Sequence, residues 1–133
     1  MKLLLVGCEY AGTTTLAYSV NDWMESTMGT RVRLVHDHFK LPHIYGHPAD
    51  LTDEEQRQVL ALSPTIKDNM QRHNIYYHTP HQGGEEDRIV IGLHIEDAVY
   101  GPHYFDYGAE GYFARSKVSR QIEQRILKFQ PDT

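Results

Sequence analysis

Gly7, Gly12, Thr13, Thr14 and Thr15 follow directly on an apolar run, Leu3-Leu4-Leu5-Val6, at the front of the chain. Two glycines at this spacing let backbone amides curl closely around an anion, because glycine tolerates positive φ and puts no Cβ in the way. Thr14 is placed to offer a hydroxyl to Mg²⁺, a hard cation that prefers oxygen. The pattern is that of a phosphate-binding loop, G-x-x-x-x-G-K-[ST], with Thr13 in the lysine position. A unit charge about 4 Å from a phosphate oxygen is worth roughly 4 kcal/mol at an effective dielectric near 20. Without a substitute cation, its loss costs on the order of a thousandfold in rate or affinity. Arg115, Lys117, Arg120 and Arg125 cluster late in the chain. Arg115 and Arg120 can be read equally as cations closing over a phosphate or as the solvated face of an amphipathic helix. Lys117 and Arg125 read as solvated.

Carboxylates stand after two apolar runs: Asp37 after Val32–His36, and Glu96-Asp97 after Arg88–Ile95. In an open parallel sheet, ligands bind beyond the carboxyl ends of the strands, so these residues are expected to face the same crevice as the glycine loop. The alternative for Asp37 and His38 is a turn cap and a solvated imidazole. Nine histidines in 133 residues is a high count. His36-x-His38 and His43-x-x-x-His47 have the look of transition-metal spacing, but no third ligand completes a set. Surface or hydrogen-bonded histidines are the default. Cys8 lies in the loop and reads as a small buried thiol.

The elements that must position these groups follow from hydrophobic period. Leu3–Val6 reads as a strand covered on both faces. Thr14–Met28 carries Leu16, Ala17, Val20, Trp23, Met24 and Met28 at helical spacing, with Gly29 as C-cap. Strand, glycine loop and helix open a βαβ unit. Leu41–Asp50 is a loop by its prolines and glycine. Thr52 and Glu55 form a capping box for a helix through Val59, Leu60 and Leu62. Ser63-Pro64 starts a second helix to about Tyr77, with Ile66, Met70, Asn74 and Tyr77 on one face. After a polar stretch from His78 to Asp87, Arg88–Ile95 reads as a strand. Ala98–Tyr112 reads as an irregular functional loop or a broken helix, and Phe113–Lys128 as a basic helix with Val118, Ile122, Ile126 and Phe129 inward. The alternation up to Gln130–Thr133 calls for a further strand. Residues 1–133 are therefore expected to be one domain and the front portion of a larger α/β domain; a natural chain of this same length would count against that. If the sheet has only three strands, a homodimer or an exposed sheet edge is expected.

Composition bounds the partners. Apolar content of 40% with 23% charged residues reads as globular, and a net charge of −5 argues against a nucleic-acid polymer or an anionic membrane. No run approaches the roughly 20 apolar residues of a membrane span. The front of the chain lacks a signal-peptide pattern, and a single cysteine excludes an internal disulfide framework, so a cytoplasmic location is expected.

Val6-Gly7-Cys8-Glu9-Tyr10-Ala11-Gly12-Thr13-Thr14-Thr15-Leu16 resembles the opening of the thymidylate kinase and deoxynucleoside kinase group, whose loop reads G-x-E-G-x-G-K-[ST]-T. Glu96-Asp97 is similar to that group's D-R or E-R pair, with Asp97 in the arginine position. Asp37 matches the acidic residue that the group keeps after its second strand. The resemblance implies a three-layer P-loop NTPase fold, a parallel sheet flanked by helices. It further implies ATP with Mg²⁺, and γ-phosphoryl transfer to a nucleoside, a nucleotide or a similar small acceptor. On this basis Gly7, Tyr10, Ala11, Gly12, Thr13, Thr14 and Thr15 would hold the phosphates, with Thr14 on the metal. Asp37 or Glu96 would position or deprotonate the acceptor, and Tyr10, Phe39, Tyr104 or Phe105 would stack on a base. A catalytically silent P-loop module that binds a nucleotide or a protein is the second expectation.

Overall fold

Three short apolar runs pair into one parallel sheet. The computed structural model describes residues 2–8, 10–37, 51–81 and 86–133. The strands are β1 (Lys2–Leu5), β2 (Leu34–Asp37) and β3 (Arg88–Ile91), in the order β1-β3-β2. Five helices accompany them: α1 (Thr13–Met28), α2 (Asp53–Ala61), α3 (Pro64–His78), α4 (Leu93–Tyr104) and α5 (Arg115–Phe129). Leu5 and Asp37 both pair with Ile91, so the carboxyl ends of the three strands finish level.

Strand alternation divides the core. Leu3, Leu5, Val35, Ile89 and Ile91 pack with Ala17, Val20 and Met24 of α1. On the opposite face, Leu4 and Val90 meet Ile75 of α3, Leu93 of α4, and Val118, Ile122 and Ile126 of α5. Burying each aliphatic side chain contributes roughly 1.5–3 kcal/mol, which fixes the helices that carry the polar groups at the sheet's carboxyl edge.

The inward face of α1 is narrower than its apolar pattern. Ala17, Asn21 and Met24 are buried, whereas Leu16, Trp23 and Met28 are exposed. Asn21 turns inward because its side chain brackets the backbone of Val32. Its Nδ2 donates to the Val32 carbonyl at 2.9 Å and its Oδ1 accepts the Val32 N–H at 2.8 Å. Gly29 closes the helix at φ 65°, donating to the Glu25 carbonyl at 3.1 Å. Strand β2 starts at Leu34 rather than Val32, since the backbone of Val32 is already engaged by Asn21.

The capping box of α2 forms as read, with Thr52 accepting from the Glu55 amide and Glu55 accepting from the Thr52 amide. No residue of α2 is buried. In α3 the buried residues are Asn74, Ile75 and His78, while Ile66 and Tyr77 are exposed, so the face is rotated from the expected one. Tyr77 sits about 100° around the helix from His78, and only one of the two can face the sheet.

The largest departure lies after β3. The expected strand to Ile95 stops at Ile91, because Gly92 takes φ 79°, ψ −67° and Leu93 takes φ 46°. A buried leucine held at positive φ is a strained corner, and it turns the chain straight into α4. Helix α4 then runs through Pro102 to Tyr104, and α5 begins at Arg115 rather than Phe113. Among the described residues, no helix is long and apolar enough to cross a membrane.

Candidate functional site

The glycine loop leaves β1 at the level edge of the sheet and enters α1. The Ala11 amide donates to the Cys8 carbonyl at 3.0 Å, Tyr10 sits at φ 62°, and Gly12 is the N-cap of α1 at φ 83°. No side-chain hydrogen bond caps α1, and its first turn carries no acidic residue. A helix start of this kind presents amide donors and the positive end of the helix dipole. A Cβ on Gly7 would stand 2.6 Å from Cγ2 of Thr13. The threonine in the lysine position therefore lays its methyl against the first loop glycine. Thr13 and Thr14 are half-buried, whereas Ala11 and Thr15 are exposed. Glu9, on which part of the family likeness rests, lies outside the described residues.

Two carboxylates meet this loop from neighbouring elements. Oε1 of Glu96, in the first turn of α4, accepts the Gly7 N–H at 3.2 Å. Oδ2 of Asp37, at the end of β2, accepts from the Thr14 hydroxyl at 3.5 Å. The expectation that Asp37 and Glu96 share an edge with the loop is met, although Glu96 is delivered by a helix rather than by a strand. Thr14, Asp37 and Glu96 supply hard oxygen donors of the kind Mg²⁺ takes alongside phosphate oxygens and water. No group of three or more His, Cys, Asp or Glu residues is arranged to hold a metal ion among the described residues.

Arg115 occupies neither of its expected positions. Its side chain is only 2% exposed. Its Nε donates to Oδ2 of Asp97, its Nη1 lies 3.8 Å from Oδ1 of Asp68, and the Tyr107 hydroxyl donates to Oδ1 of Asp97 at 2.8 Å. Arg72 also pairs with Asp68. These residues tie α3, α4, α5 and the connection between α4 and α5 into one polar knot. Burial pushes the Asp97 carboxyl up, against the opposing pull of Arg115 and Tyr107. Burial also pushes the Tyr107 phenol up, and the adjacent Asp97 charge adds to it. Gly108, at φ 69°, packs directly under the Arg115 side chain, and its carbonyl accepts the Arg115 amide at 2.8 Å. Arg120 is exposed on α5. Nothing in the sequence alone singles out Asp68 or Tyr107. Their only signal was a set of unlike charges and a tyrosine scattered over three elements, with no common period.

The remaining candidates are dispersed. Tyr10 is 99% exposed and Tyr104 is exposed, while Phe105 stacks with Tyr107 at 6.2 Å between ring centroids. Phe39, His38, His43 and His47 lie outside the described residues. His36 is buried and stacks on His78 at 3.7 Å between ring centroids, joining β2 to α3. Cys8 is exposed, not buried. A cleft of about 290 Å³, lined by residues that include Leu34, His78, His81 and Arg88, lies at the amino-terminal ends of β2 and β3, away from the loop. A concave space is only a default guide to a site; the loop edge is where amide, hydroxyl and carboxylate groups meet.

No family model, no curated protein and no solved structure matches this chain.

Proposed function

We propose that this chain is a P-loop nucleotide-binding domain of the nucleoside and nucleotide kinase type, with the three-layer arrangement of that fold. On this reading it binds ATP with Mg²⁺ and directs the γ-phosphoryl group to a small hydroxyl- or phosphate-bearing acceptor. The observation that carries the reading is the contact between Thr14 and Asp37. It places a hydroxyl from the start of α1 and a carboxylate from the end of β2 together beside a glycine loop that presents amides. Gly7 and Gly12 support it, one by close approach and the other by positive φ. When bound, Mg²⁺ would neutralise phosphate charge. Thr14 and Asp37 would hold it, Gly7 and Gly12 would let the backbone approach the anion, and Asp37 or Glu96 would orient the acceptor.

The second reading is a catalytically silent nucleotide-binding module. It is favoured by Arg115, whose guanidinium is engaged by Asp97, and by Thr13, whose methyl packs on the loop where a cation is wanted. ATP binding and ATP consumption, measured with a panel of nucleosides and nucleoside monophosphates on wild type and Thr13→Lys, decide between the two. Turnover by wild type supports the transferase. ATP binding without turnover in either protein supports the silent module. No ATP binding in either removes the P-loop reading altogether.

A further inference from the structure

Helix α2 is short and has little beneath it. It spans 9 residues, none of them buried, and among the described residues it joins neither apolar cluster of the core. A helix shorter than about 12–15 residues is marginal in water unless a face of it is packed. Its capping box and the hydrogen bond from Lys67 Nζ to the Leu60 carbonyl, at 3.4 Å, are both solvent-exposed. Asp53 and Leu60 face solvent seven residues apart, which is two turns, and so share one flank of α2. The outward face of α5 carries the complementary pattern at the same interval. Arg120 and Leu127 are exposed and again seven residues apart, with Lys117 and Lys128 on the same side. Val118, Ile122 and Ile126 take the opposite side, against the sheet. Among the described residues, no ion pair engages Asp53, Arg120 or Lys128.

We propose that α2 of one copy docks parallel to α5 of a second copy, forming a two-fold dimer selected by charge complementarity. This register sets Asp53 against Arg120 and Leu60 against Leu127, and brings Arg57 level with Gln124 beside Glu123. The antiparallel alternative sets Asp53 against Leu127 and Arg120 against Leu60, which desolvates two charges without pairing them. Each copy carries both faces, so a two-fold axis makes the contact twice. The contact gives α2 the apolar cover it lacks and gives Arg120 a counter-charge. On a chain of net charge −5, the basic face of α5 is a place where an acidic segment of an identical chain is attracted rather than repelled. Two short helix pairs make a small interface, so the dimer is weak and reversible. It does not depend on what the glycine loop binds.

The test is sedimentation velocity over a range of protein concentrations, on wild type, on Arg120→Asp, on Asp53→Arg, and on an equimolar mixture of the two variants. Wild type is expected to show a reversible monomer–dimer equilibrium. Each variant alone sets like charges against each other at both contacts, and its dimer is expected to dissociate at least tenfold more readily. In the mixture every contact is complementary again, one as in wild type and the other with the charges exchanged, so dimers should return to near the wild-type level. That recovery also shows that both variants fold. A wild type that stays monomeric at every concentration overturns the proposal. So does a dimer that neither variant weakens, which would use another surface such as the open edge of β1, and so does a mixture that fails to recover. On wild type alone, raising the salt to about 0.5 M should weaken the dimer several-fold, because exposed charge pairs are screened. A dimer that salt leaves unchanged or strengthens overturns the proposal as well.

Discussion

Two groups of charged residues belong to the same end of this molecule, and they behave differently. At the glycine loop, Glu96 and Asp37 meet a backbone amide and a hydroxyl at 3.2 and 3.5 Å, beside the exposed residues of the loop. In the knot at the start of α5, Asp97, Arg115 and Tyr107 are nearly sealed from water and satisfy one another. In the first group the two hydrogen bonds are long. The second has strong internal bonds and fixes the helices that frame the first. A charge near a crevice is therefore not by itself a charge in the site, and Arg115 illustrates the difference.

The contrast can be broken most sharply at Arg115. Arg115→Ala leaves Asp97 buried without its cation, and removing one member of a buried pair costs about 3–5 kcal/mol. Urea denaturation should show a loss of that size. Arg115→Met combined with Asp97→Leu should recover part of it, because an apolar pair leaves no uncompensated charge. A fully stable Arg115→Ala would mean that the knot does not hold the helices.

At the loop the expected cost is smaller and steric. Gly7→Ala pushes a methyl into Thr13 Cγ2, and overpacking of this kind costs about 1–3 kcal/mol. Adding Thr13→Ser removes the opposing methyl and should restore most of the stability in the same denaturation assay. A third comparison sets Tyr107→Phe beside Asp37→Asn. The first should lose about 1 kcal/mol of stability and leave ATP affinity unchanged. The second should change stability by less than about 0.5 kcal/mol, yet, on the proposed nucleotide-binding reading, weaken Mg-ATP binding at least tenfold in calorimetry.

The smallest effect concerns His94. Burial holds its imidazole pKa below the usual value, against a raising influence from Glu123. The unfolded chain takes up a proton near pH 6.5 while the folded chain resists it. This part of the stability is present above about pH 6.5 and is lost as the pH falls toward the depressed folded value. Thermal melts of wild type and His94→Phe between pH 7.5 and 5 should show a shallower acid-side fall in the variant.

Much of the frame was legible because local signals agreed with packing. Gly29 ends α1, Thr52 and Glu55 cap α2, and Pro64 opens α3, each with a backbone reason that needs no tertiary contact. The parallel α/β character and the shared edge of loop, Asp37 and Glu96 were also readable. What failed depended on contacts distant in sequence. Arg88-Ile-Val-Ile-Gly-Leu-His-Ile looks like one long strand, and the backbone angles of Gly92 and Leu93 that end it leave no periodic trace. Asn21 interrupts an apolar face because a backbone segment eleven residues on needs its amide. Arg115 carries the same side chain whether it faces solvent, a phosphate or Asp97. Its partner was decided by the folding of the segment from Asp97 to Arg115.

The pairing order also sets a sequence of events. Asn21 meets Val32 across a short closure, so α1 and the approach to β2 can associate early. Strand β1 pairs with β3 alone among the described residues, and the Gly7 amide waits for Glu96 from the far side of that strand. Contacts closing loops this long form late. In a pulse-labelled refolding experiment, the Gly7 proton should become protected after the Val32 proton. The glycine loop after β1 is thus among the last parts to be built.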